Sequence, residues 1–281
     1  MSQILPASTQ MGAVTLRAKD LDSLVDFYTR GVGLQVIASL PGSYLLGRPG
    51  ETLLIIEHAP ELRHAGAHEA GLFHTAFLFD TQAELATAVS SVASKFPGLF
   101  TGSADHLVSE AFYFDDPEGN GVELYFDKDR STWSWQHGQI QMGTFSLDPN
   151  QYLATHARPE SSFSPSRVGH VHLSVGNIEQ AHSFYVEQLG FETTLNWGGT
   201  ALFVSAGGYH HHMAMNIWKS RGAGRRQLAL GLGQVRIQLE SQDAVSSAKD
   251  RLIFSGGVVH DTETGFITED PWGNSVSLSL A

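Results

Sequence analysis

GAVTLRAKDLDSLVDFYTRGVGLQVI, residues 12 to 37, returns in outline as GHVHLSVGNIEQAHSFYVEQLGFETTL, residues 169 to 195. Each copy reads as an alternating strand, a polar break, a short helix ending in Phe-Tyr, a glycine-containing stop and a second strand. Leu21, Leu24, Val25 and Tyr28 share a helical face after Asp20, and Ile178, Ala181 and Tyr185 do so after Asn177. Asp and Asn at those positions are N-cap types, because their side chains accept from the first free N–H groups of a helix. Val32-Gly33-Leu34 is mirrored by Leu189-Gly190-Phe191. One unit is used twice.

Two weaker copies lie between and after. Phe73 to Phe79 reads as a strand, Thr81 to Phe96 as a helix opened by a Thr81/Glu84 capping box, and Phe112 to Phe126 as a hairpin around Asp116-Pro117-Glu118-Gly119-Asn120. Val235 to Leu239 is a strand, Asp243 to Phe254 a helix, and Gly265 to Leu280 a hairpin around Asp270-Pro271-Trp272-Gly273-Asn274. In both turns Pro sets φ, while Gly and Asn tolerate positive φ. The expected organisation is two modules in residues 1 to 127 (10 to 58 and 71 to 127), a connector at 128 to 166, and two modules in 167 to 281 (167 to 218 and 228 to 281). The connector is polar, with prolines at 149, 159 and 165, and its Trp133 and Trp135 read as packing anchors.

Bulk composition narrows the function classes. The chain has 281 residues, 42% of them hydrophobic, which is material for two ordinary globular units. A formal charge of −12 argues against nucleic acid as a partner, since that binding rests on Lys and Arg neutralising phosphates. Arg221, Arg225 and Arg226 form only a short run between glycines and read as a solvated loop. With no cysteine, disulfides and thiolate sites are excluded, so any metal must be held by His, Asp or Glu; 14 histidines are available. The start MSQILPASTQ lacks a secretory pattern and no run reaches a membrane span, so the expected location is cytoplasmic.

The stretch HLVSEAFYFDDPEGNGVE, His106 to Glu123, places a carboxylate in an apolar strand. His106, five residues, Phe112-Tyr113, two residues, Asp116-Pro117, Gly119 and Glu123 resemble the extradiol-dioxygenase signature, with a minor departure at Ala104. The fourfold βαβββ unit resembles the vicinal oxygen chelate superfamily, which includes glyoxalase I, bleomycin-resistance proteins and type I extradiol dioxygenases. GHVHL, YHHHMAMNIW and FDDPEGNGVELY together are similar to four-module bacterial catechol 2,3-dioxygenases.

The resemblance implies an α+β fold in which four βαβββ modules form two paired-module curved-sheet, half-barrel units. It also implies metal ligands on the first and last strands of a module. The first-strand position falls on Ala13, His74, His170 and Gln234 in turn; the last-strand position falls on an apolar residue of the 52 to 56 run, on Glu123, on or beside His212, and on Ser277. Only modules two and three are equipped, which implies that these two share a cavity and that one and four form a site without metal. His74, His170 and Glu123 would form a two-His-one-carboxylate set suited to Fe(II), with Mn(II) as the alternative. His212 is expected as acid-base catalyst or added ligand, with Tyr113 and His106 as catalytic positions. His172 and His211 are expected in the cavity, His211 replacing His212 if the strand register is shifted by one. His58, His64, His68, His137 and His156 read as solvated.

The implied activity is extradiol cleavage of catechol or a substituted catechol with O2. A glyoxalase-like or epimerase-like metal-dependent lyase or isomerase is the first alternative, and a non-enzymatic aromatic-ligand-binding protein the second. Expected partners are a small aromatic diol and O2, with no nucleic acid and no membrane; homo-oligomerisation is left open.

Overall fold

The computed structural model describes residues 4–158 and 163–281. Each of the four sequence units folds as βαβββ. The first comprises β1 (Gln10–Ala18), α1 (Leu21–Asp26), β2 (Gln35–Leu40), β3 (Ser43–Arg48) and β4 (Glu51–His58). The second comprises β5 (Gly71–Phe79), α2 (Gln82–Lys95), β6 (Phe100–Asp105), β7 (Ser109–Asp115) and β8 (Gly121–Asp127). After a segment with β9 (Trp135–Gln136), β10 (Gln139–Ile140), β11 (Phe145–Ser146) and α3 (Pro149–His156), the third comprises β12 (Arg167–Ser174), α4 (Ile178–His182), β13 (Glu192–Trp197), β14 (Ala201–Ser205) and β15 (Met213–Asn216). The fourth comprises β16 (Gly231–Leu239), α5 (Gln242–Phe254), β17 (His260–Asp261), β18 (Gly265–Glu269) and β19 (Ser275–Leu280).

The helix boundaries follow from local chemistry. Asp20 accepts from Ser23 N, Thr81 from Glu84 N, Asn177 from Gln180 N and Ser241 from Ala244 N, each satisfying a backbone donor of the first turn. α1 and α4 each continue into one π-helical turn, Phe27–Val32 and Ser183–Gln188. Gly33 and Gly190, at φ 94° and 93°, follow these turns in the left-handed region that glycine enters without steric cost.

The Phe-Tyr ending of these helices has a structural task that the repeat alone did not reveal. Tyr28 donates to Asp116 Oδ2 at 3.0 Å, and Tyr185 donates to Asp270 Oδ2 at 3.0 Å, all four groups being buried. Asp116 also accepts from the backbone of Glu118 and Asn120 at 2.9 Å, and from the Asn120 amide at 2.8 Å. Asp270 repeats the pattern with Trp272 N, Asn274 N and the Asn274 amide. The helix of one module thereby clamps the Asp-Pro turn of the next.

Two large curved sheets result, in the orders β17-β18-β19-β16-β1-β4-β3-β2 and β11-β6-β7-β8-β5-β12-β15-β14-β13. Within modules two, three and four the first and last strands pair in parallel, with Ala76 opposite Glu123, His172 opposite Ala214 and Arg236 opposite Ser277. Contacts divide the chain into two compact units, Thr15–Leu62 with His74–Gly169, and Met1–Val14 with Arg63–Phe73 and His170–Ala281; three of the four divisions fall inside β1, β5 and β12, and the fourth between β4 and β5. The first unit buries Tyr28, Phe27, Phe77, Phe79, Phe112 and Phe114, and the second buries Tyr185, Phe191 and Phe266. Full burial of each such ring is worth roughly 1.5–3 kcal/mol.

The segment expected as a plain connector is ordered against module two. Phe145 pairs with Asp105 through β11 and β6, and Tyr152 of α3 is buried with its ring 4.9 Å from that of Phe112. Pro149 occupies the first turn of α3, where a missing N–H is harmless. Trp133 is buried and donates to Lys128 O at 3.0 Å, whereas Trp135 is 43% exposed. The anchors are therefore Trp133 and Tyr152 rather than the two tryptophans. Pro159 lies outside the described residues. Among the described residues no helix is long and apolar enough to cross a membrane.

Candidate metal centre and its surroundings

The parallel pairing of β5 with β8 brings His74 and Glu123 together, because a residue two positions before Ala76 lies on the same face as the side chain opposite Ala76. His74 Nε2 lies 2.9 Å from Glu123 Oε2, and both side chains are buried. His170, the third expected ligand, is buried at the start of the other unit's share of β12. Imidazole and carboxylate, buried and adjacent in His74 and Glu123, are donors of the kind that fits a divalent ion of the Fe or Mn type.

Tyr113 is the direct partner of Glu123 across β7 and β8. Burial, reinforced by the negative charge of Glu123 and a hydrogen bond with it, pushes the Tyr113 hydroxyl well above its ordinary pKa, so it remains a proton donor. The same hydroxyl lies 2.6 Å from His106 Nε2, and His106 Nδ1 lies 2.6 Å from Gly143 O. A carbonyl only accepts, so Gly143 assigns the proton to Nδ1 and leaves Nε2 of a neutral His106 as the acceptor for Tyr113. Leu107, at φ 72°, turns the chain immediately after His106 and donates its N–H to Asp105 Oδ1 at 2.8 Å. Gly143 was missed in the sequence, where it stood in the connector without a motif. Its one signal is steric, since a Cβ there would lie 2.4 Å from the Phe145 ring.

The histidine triplet departs from expectation. His210, His211 and His212 precede β15 rather than lie in it, so strand alternation does not govern them. Gly207 and Gly208, both at positive φ, bend the chain just before. His211 stacks towards His170, ring centroids 4.1 Å apart, and its Nδ1 lies 2.7 Å from that of His210. His212 instead accepts from Ala206 N at 3.3 Å and faces Tyr209 and Phe191, with ring centroids at 5.0 and 6.4 Å. Register assigns the last-strand ligand position of module three to Ala214, opposite His172, and not to His212. His172 accepts from Asn216 Nδ2 at 3.0 Å, within an aromatic wall of Phe73, Phe203 and Trp218 whose ring centroids are 4.9 to 5.9 Å from its own. Of the histidines expected to be solvated, His58, His64, His68 and His137 are exposed, while His156 is half-buried with its ring 4.6 Å from that of Tyr152.

Comparison with known proteins agrees with this architecture. The model of the Glyoxalase/Bleomycin resistance protein/Dioxygenase superfamily matches residues 10–124 and 167–278. The chain belongs to this superfamily. Among superfamily relatives, it is 35% identical over 270 residues to a catechol-2,3-dioxygenase of Bacillus subtilis (strain 168), covering 94% of each chain. Two solved structures share the superfamily fold. One, from Bacillus subtilis and assigned as a dioxygenase, gives a TM-score of 0.67 at 15% identity, covering 96% of this chain and 84% of that one. The other, glyoxalase I from Zea mays, gives 0.59 at 17% identity, covering 97% and 92%.

Proposed function

We propose that this protein is an extradiol ring-cleaving dioxygenase that uses Fe(II), or Mn(II), to open catechol or a substituted catechol with O2. The observation that carries this reading is the buried pair of His74 Nε2 and Glu123 Oε2 at 2.9 Å, with Tyr113 opposite Glu123. Similarity to the Bacillus subtilis catechol-2,3-dioxygenase over 94% of both chains supports it.

In this reading His74, His170 and Glu123 would hold the metal. The bound metal would bring the two oxygens of the diol and O2 together and carry electron density between them. The residues around it do the proton work. Tyr113, kept protonated by burial and by Glu123, holds its one proton on His106 Nε2 until substrate arrives, and then turns it to an oxygen of the substrate. His211, against the His170 ring, takes the proton that a catechol must lose to become a good ligand; imidazole suits the task because its ordinary pKa lies near neutrality. The wall of Phe73, Phe203 and Trp218 around His172 supplies apolar surface for an aromatic ring.

The deciding experiment is anaerobic reconstitution with Fe(II), followed by catechol and air. A yellow ring-opened product with O2 uptake, abolished in Glu123→Ala, is the expected result. Firm metal binding without O2 uptake across several catechols would overturn the proposal.

A further inference from the structure

The fourth module repeats the geometry of the second with inverted chemistry. Arg236 pairs with Ser277 as Ala76 pairs with Glu123, in the same parallel register of first and last strands. Gln234, two residues before Arg236, stands where His74 stands; Ile267, opposite Ser277, stands where Tyr113 stands opposite Glu123. The two candidate ligand positions of the second module, His74 and Glu123, are thus refilled with an amide and a hydroxyl, while the Ala76 position gains a guanidinium and the Tyr113 position an apolar side chain.

Three observations indicate that this face is more than an eroded copy. First, β16 alternates strictly: Val235, Ile237 and Leu239 are buried on one face, while Gln234, Arg236 and Gln238 are half-exposed on the other, so the charged face is reachable from solvent. Second, the Ser277 hydroxyl is buried, the residue being 6% exposed, and has no hydrogen-bond partner among the described residues. Register with Arg236 and Ile267 aims it onto that same face. A buried hydroxyl left unsatisfied is costly, and such groups in native proteins commonly await a ligand or water. Third, no ion pair or hydrogen bond engages the Arg236 guanidinium among the described residues. Its stem lies across β1 at Gly12, where a Cβ would come within 2.9 Å of Arg236 Cγ. Glycine at position 12 therefore makes the bed in which the arginine lies.

We propose that this face of the fourth module is an anion site for small organic carboxylates. Arg236 supplies the charge and a planar fork of donors that matches a carboxylate, Ser277 donates one further hydrogen bond, and Ile267 packs against the apolar body of the ligand. One guanidinium suits a monoanion better than a phosphate dianion, and a net charge of −12 disfavours more highly charged ligands at long range. The site needs neither His74, Glu123 nor His170, so it stands independently of the proposed ring-cleavage activity.

Benzoate is the probe, titrated into the full-length protein and followed by calorimetry and thermal unfolding, with inorganic phosphate and uncharged benzamide alongside. Wild type should show a saturable benzoate-dependent rise in Tm that benzamide does not give, with phosphate weaker. Arg236→Met should lower benzoate affinity by roughly tenfold or more, the scale for loss of a charge-assisted hydrogen-bonded pair. Ser277→Ala should raise Tm without benzoate, by removing an unsatisfied hydroxyl, and at the same time weaken benzoate binding several-fold. That opposition of sign separates a ligand site from a packing role. Should Arg236→Met fail to fold, Ser277→Ala decides alone. Absence of a benzoate effect in wild type, its survival in Arg236→Met, unchanged affinity in Ser277→Ala, or tighter binding of phosphate would each overturn the proposal.

Discussion

Removing one hydroxyl from the Tyr28 side chain should destabilise the protein by an amount that depends on pH, and should disturb the metal centre without touching it. Tyr28 donates to Asp116 Oδ2 at 3.0 Å in a buried site. Burial pushes the Asp116 carboxyl up from 3.8 to about 6, against the lowering influence of its hydrogen bonds from Asn120, Glu118 and Tyr28. That rise corresponds to roughly 3 kcal/mol. Since the folded-state value lies above the unfolded one, this contribution favours the fold fully below the unfolded pKa and is lost as pH rises through about 6. The donor itself does not titrate in this range, because burial and Asp116 hold the Tyr28 hydroxyl well above its ordinary value.

Tyr28→Phe deletes the donor and leaves the ring. Near pH 7.5 the acceptor is an ionised carboxylate and the lost bond is worth about 2 kcal/mol; near pH 5 it is a neutral acid and the loss is about 1 kcal/mol. Urea denaturation of wild type and variant at the two pH values reads this difference, the other titrating groups cancelling between them. The turn from Asp116 to Asn120 also leads directly into β8, which carries Glu123. Metal affinity should therefore fall in Tyr28→Phe. It should hold in Tyr185→Phe, which breaks the equivalent 3.0 Å bond to Asp270 in a module whose last strand carries Ser277. An equal loss of stability at both pH values, or an equal loss of metal affinity in the two variants, would refute the clamp as the link between helix and site.

The other expectations are more direct. Glu123→Gln should abolish the rise in Tm produced by added Fe(II) or Mn(II), read by thermal unfolding, because one anionic donor of the three is lost. Tyr113→Phe should retain metal by elemental analysis and lose kcat for catechol by roughly 100-fold, the lower range for a positioned proton donor. Under the same assay His211→Asn should cost more activity than His212→Asn, since His211 stacks on His170 while His212 is turned towards Ala206. Gly169→Ala should destabilise by about 1–3 kcal/mol in denaturation, because a Cβ at Gly169 would lie 1.6 Å from the Tyr125 hydroxyl oxygen.

The sequence by itself determined the module, its fourfold use and the meeting of His74 with Glu123. Those features are local or repeated: caps at Asp20, Thr81 and Asn177 and the Asp-Pro turns write their own geometry within a few residues. Glu123 against Ser277 was legible as soon as the two turns were laid side by side. Tertiary structure alone decided what depends on register and on chain segments far apart. It gave Phe-Tyr a clamping role through Asp116 and Asp270, brought Gly143 to His106, took the histidine triplet out of the strand, and moved the last-strand position of module three to Ala214. A single residue of register reverses which face a side chain meets, and the bend at Gly207 and Gly208 resets that register by backbone conformation without altering any apolar pattern. The inverted site at Arg236 and Ser277 has the same origin: neither residue forms a motif, and only their pairing across β16 and β19 makes them neighbours.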